Sequence, residues 1–183
     1  MNTNTNSSAG TGSARRRPTR GPLYTPEERR RRDASSWTMV QGVLAPLQFL
    51  VFIVSLGLVL RFLATGDGHT AATISIVVKT AVLYTIMVTG CLWEKDVFGV
   101  YLFAPAFWWE DAFSMAVLAL HTAYLIALAT GWLDARGQML LALAAYATYV
   151  VNAAQFVWKL RMARLDAARR DAATGAASEG VAA

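Results

Sequence analysis

The sequence is short of the residues from which most soluble catalytic centres are assembled. It holds one cysteine, Cys91, and two histidines, His69 and His121, in 183 residues. A lone cysteine cannot form an intrachain disulfide and excludes paired-cysteine metal sites. His69 reads as a loop residue on one side of a membrane and His121 as a residue within it, so the two cannot share a metal or form a bis-histidine haem site. Also missing are a G-x-S-x-G elbow, a phosphate-binding glycine loop and an H-E-x-x-H pair. Charge is scarce as well: 16% of residues are Asp, Glu, Lys or Arg, against 55% hydrophobic. That is too apolar for an ordinary soluble domain. No stretch alternates polar with apolar residues, which argues against a transmembrane barrel.

What the chain does have is four long apolar runs, about Met39 to Leu63, Thr70 to Trp93, Ala112 to Trp132 and Gln138 to Trp158. Crossing a bilayer takes roughly 20 mostly apolar residues. Backbone groups inside lipid must be paired within their own segment, so the runs predict helices. The expected fold is all-α, an integral membrane bundle of four transmembrane helices. Residues 1–22 carry no core-forming material and predict a disordered basic tail rather than a signal peptide. Thr25-Pro26-Glu27-Glu28 has the pattern of a capping box with proline in the first turn. Residues 23–164 form the membrane domain, and residues 165–183 the end of a helix followed by a loose tail.

Basic residues set the orientation. Arginines crowd the segment before the first run, and Lys159, Arg161, Arg164, Arg169 and Arg170 follow the fourth. The loops near 66–69 and 134–137 carry almost nothing basic, so both termini are expected in the cytoplasm. The net charge of +5 then reads as a topology signal with some anionic-lipid contact, and no nucleic-acid partner is expected.

Polar side chains are costly in hydrocarbon and usually face the bundle interior. Gln41 and Gln48 share one face of the first run. Lys79 sits mid-way along the second, which ends at Glu94. Glu110, Ser114 and His121 stack on one face of the third. Asn152, Gln155 and Lys159 share a face of the fourth. The expectation is a single polar pocket reached from the cytoplasmic side. The amides also fit a plainer role as interhelical hydrogen-bond partners, Lys79 as a structural charge, and His121 as a packed histidine.

The stretch YLFAPAFWWEDAFSM, residues 101–115, places Phe107, Trp108 and Trp109 beside Glu110 and Asp111. Tryptophans there are an interfacial belt in the simplest reading. Aromatics around a proline also suit a flat apolar ligand, and partly desolvated acids beside them can retain a proton and act as general acids.

From Leu23 to Arg164 the chain resembles the bacteriochlorophyllide vinyl hydratases. The likeness is carried by LYTPEERRRRDASSWTMVQGVLAPLQFLVF, by VVKTAVLYTIMVTGCLWEKDVFGVYLFAPAFWWEDAFSMAVLALHTAYL and by YVVNAAQFVWKLRMAR. The resemblance implies an enzyme of bacteriochlorophyll a synthesis, a hydro-lyase. It would add water to the ring-A vinyl group of chlorophyllide a, or the corresponding bacteriochlorophyllide, giving a 1-hydroxyethyl group.

On that reading Glu110 or Asp111 is the acid, Glu94 handles water, and His121 is a base or an axial ligand to the substrate magnesium, with Asn152, Gln155 or water as competitors. Lys159 meets a propionate, and Phe107, Trp108 and Trp109 stack on the ring. Gln41, Gln48 and Lys79 complete the expected substrate pocket. No cofactor or metal of the protein's own is expected. The partners would be the magnesium tetrapyrrole, water and lipid, with a homo-oligomer or neighbouring pathway enzymes open. The place would be a bacterial inner or photosynthetic membrane. The rival reading is a pigment carrier without catalysis, which would need no acid.

Overall fold

The computed structural model describes residues 23–181, which form five helices and no strand. The tail expected over residues 1–22 lies outside the described residues. The first helix, α1 (Pro26–Ala34), starts as its sequence predicts: Glu28 N–H donates to Thr25 Oγ1 at 3.2 Å, and Thr25 N–H donates to the Glu28 carboxylate at 2.7 Å. Ser35 both ends α1 and caps α2 (Ser36–Thr65), its hydroxyl oxygen accepting from Trp37 N–H at 3.3 Å. That hydroxyl also donates to Asp96 at 2.8 Å, pinning the α1–α2 corner to the end of α3 (His69–Phe98).

Two glycines make the first two reversals possible. Gly66 ends α2 at φ +80° and donates to the Phe62 carbonyl, and Gly99 ends α3 at φ +81° and donates to the Lys95 carbonyl. Both occupy the left-handed region, where a side chain costs free energy and glycine does not. An irregular segment, residues 99–107, leads into α4 (Trp108–Thr130), and a short turn leads to α5 (Ala135–Val181). α4 begins a turn earlier than its apolar run, so both acids lie in its first turn, where carboxylates complement the helix dipole. α5 continues to Val181, through the stretch expected as a loose tail.

α2 packs mainly against α3, and α4 mainly against α5, giving two antiparallel hairpins. Between α2 and α3 the contacts are partly polar: Gln41 donates to Thr89 at 2.7 Å and the Trp93 indole to Thr38 at 2.9 Å. The hairpins meet at the end away from α1. There Phe52, Val59, Ala72, Ile76, Tyr124, Met139, Ala142, Ala145 and Tyr146 form a core, and Ser55 bonds both Ser75 (2.7 Å) and Tyr146 (2.6 Å). Towards α1 the hairpins part.

Four helices, Ser36–Thr65, His69–Phe98, Trp108–Thr130 and Ala135–Arg169, are long and apolar enough to cross a membrane. Their outward residues, among them Met39, Val43, Leu50, Val54, Val88 and Ile126, are exposed and apolar. This is a surface for lipid rather than water.

Candidate active site

The space where the hairpins part is a cavity of about 1130 Å³. It exceeds the ~300–1,000 Å³ usual for small-ligand pockets and suits a larger ligand. Leu83, Val117 and Tyr149 line its deep end; Gly42, Ala45, Gln48 and Phe49 of α2 face Asn152, Ala153, Phe156 and Val157 of α5 across it. Leu23, Tyr24, Arg29, Arg32 and Asp33 reach its outer end from α1 and the residues before it. Lys159 and Arg164 reach it from α5. Tyr24 is buried against Phe98 and Phe107 with the Arg32 guanidinium 4.9 Å from its ring centre. Burial raises its phenol above the ordinary value, with Arg32 pulling the other way.

Two carboxyl groups line the cavity, Glu94 from the end of α3 and Asp111 from the start of α4. Both residues are buried, and their carboxyls lie side by side within hydrogen-bond reach. The loop between them fixes both. Phe103 N–H donates to Asp111 at 2.8 Å, and the next amide, Ala104 N–H, donates to Glu94 at 3.1 Å. Successive amides point at one spot because Phe103 takes φ 60°, a left-handed conformation unusual for a residue with a side chain. Such a turn makes a concave donor site for anions.

Glu110 is also buried, but it is paired with Lys159 at 2.7 Å. Lys159 lines the cavity and sits 4.7 Å from the Phe107 ring centre. Phe107 faces inward, buried among Tyr24, Val97, Trp93, Phe98 and Phe156. Trp108 and Trp109 turn outward and meet edge to face, 48% and 68% exposed. The difference arises at the helix start: Phe107 is the cap, with non-helical φ −126° and ψ 13°, and the tryptophans are already on the helix surface.

Deeper still, Lys79 and His121 are fully buried and joined to each other rather than to the carboxyls. Lys79 Nζ is 3.2 Å from His121 Nε2, and His121 Nδ1–H donates to the Val117 carbonyl at 2.8 Å. Lys79 also lies over the Tyr149 ring at 4.2 Å. Both ring nitrogens of His121 are therefore engaged, below the cavity floor. Of the amides, Gln48 and Asn152 are buried and line the cavity; Gln41 lines it nearer the outer end, while Gln155 lies beside it on α5.

The cavity thus combines Glu94, Asp111, Lys159, Gln41, Gln48, Asn152 and Phe107. Trp108, Trp109, Glu110, Gln155, Lys79 and His121 stand outside its lining. Sequence reasoning did not find the amides of Phe103 and Ala104, which no side-chain pattern announces. It also passed over Tyr24, whose signal was an aromatic placed directly before a capping box.

Residues 24–162 match the protein family described as 2-vinyl bacteriochlorophyllide hydratase. A 2-vinyl bacteriochlorophyllide hydratase of Rhodobacter capsulatus is 69% identical over 157 residues, 86% of this chain and 91% of the relative. One of Cereibacter sphaeroides is 72% identical over 145 residues, 79% of this chain and 89% of the relative. The chain belongs to this hydratase family. No solved structure matches it. The family match takes in both carboxyls, the loop that holds them and the amides of the cavity, and ends just before Ala163 and Arg164 at its outer end.

Proposed function

We propose that the chain is a hydro-lyase of bacteriochlorophyll synthesis that adds water to the vinyl group of chlorophyllide a or a bacteriochlorophyllide, giving the 1-hydroxyethyl derivative. The observation that carries this reading is the adjacent Glu94–Asp111 pair on the wall of a large, mostly apolar cavity. A vinyl group on a conjugated ring is a weak base. It needs a proton delivered to its terminal carbon and a water delivered to its inner carbon.

The pair can do both. One carboxyl holds the proton and transfers it to the terminal carbon. The cation left on the inner carbon is delocalised into the macrocycle. A water attacks that carbon, and the partner carboxylate takes its proton, so one water is added and the pair returns to its starting charge. The donated N–H groups of Phe103 and Ala104 hold the two oxygens still throughout. Lys159, with Arg29, Arg32 and Arg164 at the outer end, offers cations to a substrate carboxylate. The arginine-rich ends of the bundle favour a cytoplasmic position for both termini and for this opening.

The test is incubation of the purified protein with chlorophyllide a in ¹⁸O-labelled water. The expected product carries one labelled oxygen and has lost its vinyl group. Unchanged pigment from chlorophyllide a and bacteriochlorophyllide alike would overturn the reading.

A further inference from the structure

The magnesium of the substrate has an axial position that favours oxygen, and two amide oxygens on the cavity's lining residues have no hydrogen-bond partner. Asn152 Oδ1 and Gln48 Oε1 are buried without a hydrogen-bond partner, in residues only 9% and 2% exposed, and both side chains line the cavity. A buried amide oxygen left bare is costly, so two such side chains on the wall of one cavity call for an electrophile there. Mg²⁺ is a hard cation that takes oxygen.

We infer, resting on the hydratase reading above, that the Asn152 amide oxygen is the axial ligand to the magnesium of the bound tetrapyrrole. Gln48 supports the opposite ring face, through water. Register supports this arrangement. Ser55 meets Tyr146 and Phe52 meets Tyr149 across α2 and α5, so the next turn of these antiparallel helices brings Gln48 level with Asn152. The two belong to different hairpins, so a flat ring standing between the hairpins would have one amide on each face. Asn152 is the oriented member, because its Nδ2–H donates to Ser114 Oγ at 2.8 Å and turns Oδ1 away from α4. Ser114 is one turn past Asp111 on α4. Three residues of helix place the ligand about 4.5 Å along the bundle from the carboxyl pair, of the order of the span from a tetrapyrrole's metal to its rim. His121, with both nitrogens occupied beneath the floor, has no part in it.

The experiment compares binding of chlorophyllide a with binding of its metal-free counterpart. Wild-type protein should bind the magnesium form about tenfold more tightly, equivalent to ~1.4 kcal/mol. Asn152→Leu should bring the two affinities within about twofold by weakening only the magnesium form. Asn152→Asp, which keeps an oxygen, should retain the preference. Ser114→Ala, which frees the amide to turn, should erode it, and serves as the second variant if Asn152→Leu also loses the metal-free pigment. A preference that survives Asn152→Leu, or a wild-type protein that binds both pigments equally, overturns the metal ligand while leaving the hydratase reading intact. A wild-type protein that binds neither pigment overturns both.

Discussion

Each of the three acids near the cavity has a different neighbour, and that sets what it can do. Glu94 and Asp111 face each other and two backbone amides, whereas Glu110 faces Lys159. Glu94→Gln and Asp111→Asn should each lower kcat by roughly 10²–10⁴, the usual yield of general acid–base help, and leave pigment affinity within a few-fold. Turnover followed by absorbance, beside a binding titration, checks both. A pigment carrier would show neither loss. Lys159→Met should be costly in another way, since it strands the Glu110 carboxylate, whose side chain is only 9% exposed. Discounted for the partial exposure of Lys159, the loss is about 1–3 kcal/mol. Glu110→Gln combined with Lys159→Met should recover most of it in thermal unfolding. The acids themselves were legible in the sequence, because charge beside an apolar run is conspicuous. Their division of labour was not. Which of two consecutive carboxylates meets a lysine 49 positions away depends on the phase of α4 and its register with α5.

At the level of the elements, the loop before α4 does the positioning. Phe103 is held at φ 60°, a conformation that costs a residue with a side chain ~1–2 kcal/mol. Phe103→Gly should therefore be neutral or stabilising in thermal unfolding and keep near-wild-type turnover. Phe103→Val, β-branched and ill-suited to that region, should destabilise and lower kcat as its amide swings off Asp111. The helices around the loop were visible as apolar runs, and the α1 start as a capping box, because hydropathy and capping are local properties. The loop's hydrogen bonds were not visible, because its donors are peptide groups that every sequence possesses. The inward turn of Phe107 beside the outward turns of Trp108 and Trp109 was hidden for a related reason. It follows from the residue at which α4 begins, and the aromatic run itself does not mark that point.

On the scale of the whole molecule, the hairpins touch closely at one end and enclose the cavity at the other. A ligand seated between them joins the two units at the end where they otherwise part. Substrate at about a hundred times its Kd should therefore add ~2.7 kcal/mol of stability, read as a higher Tm in detergent. Protection from hydrogen exchange should rise on α2 and α5 together; a rise confined to one hairpin would show that the ligand does not bridge them. Lys79 carries a further consequence, for how the protein is made. An ammonium group at the centre of an apolar helix raises the free energy of insertion by roughly 2.5–3.5 kcal/mol. The groups that receive it, His121 and the Tyr149 ring, lie on α4 and α5. During synthesis, α3 must therefore wait in the translocation machinery or its lipid surroundings with its charge unmet until the second half of the polypeptide emerges. A ribosome stalled after α3 would leave a nascent chain exposed to membrane proteases, and substituting Lys79 by methionine would lengthen that fragment's lifetime.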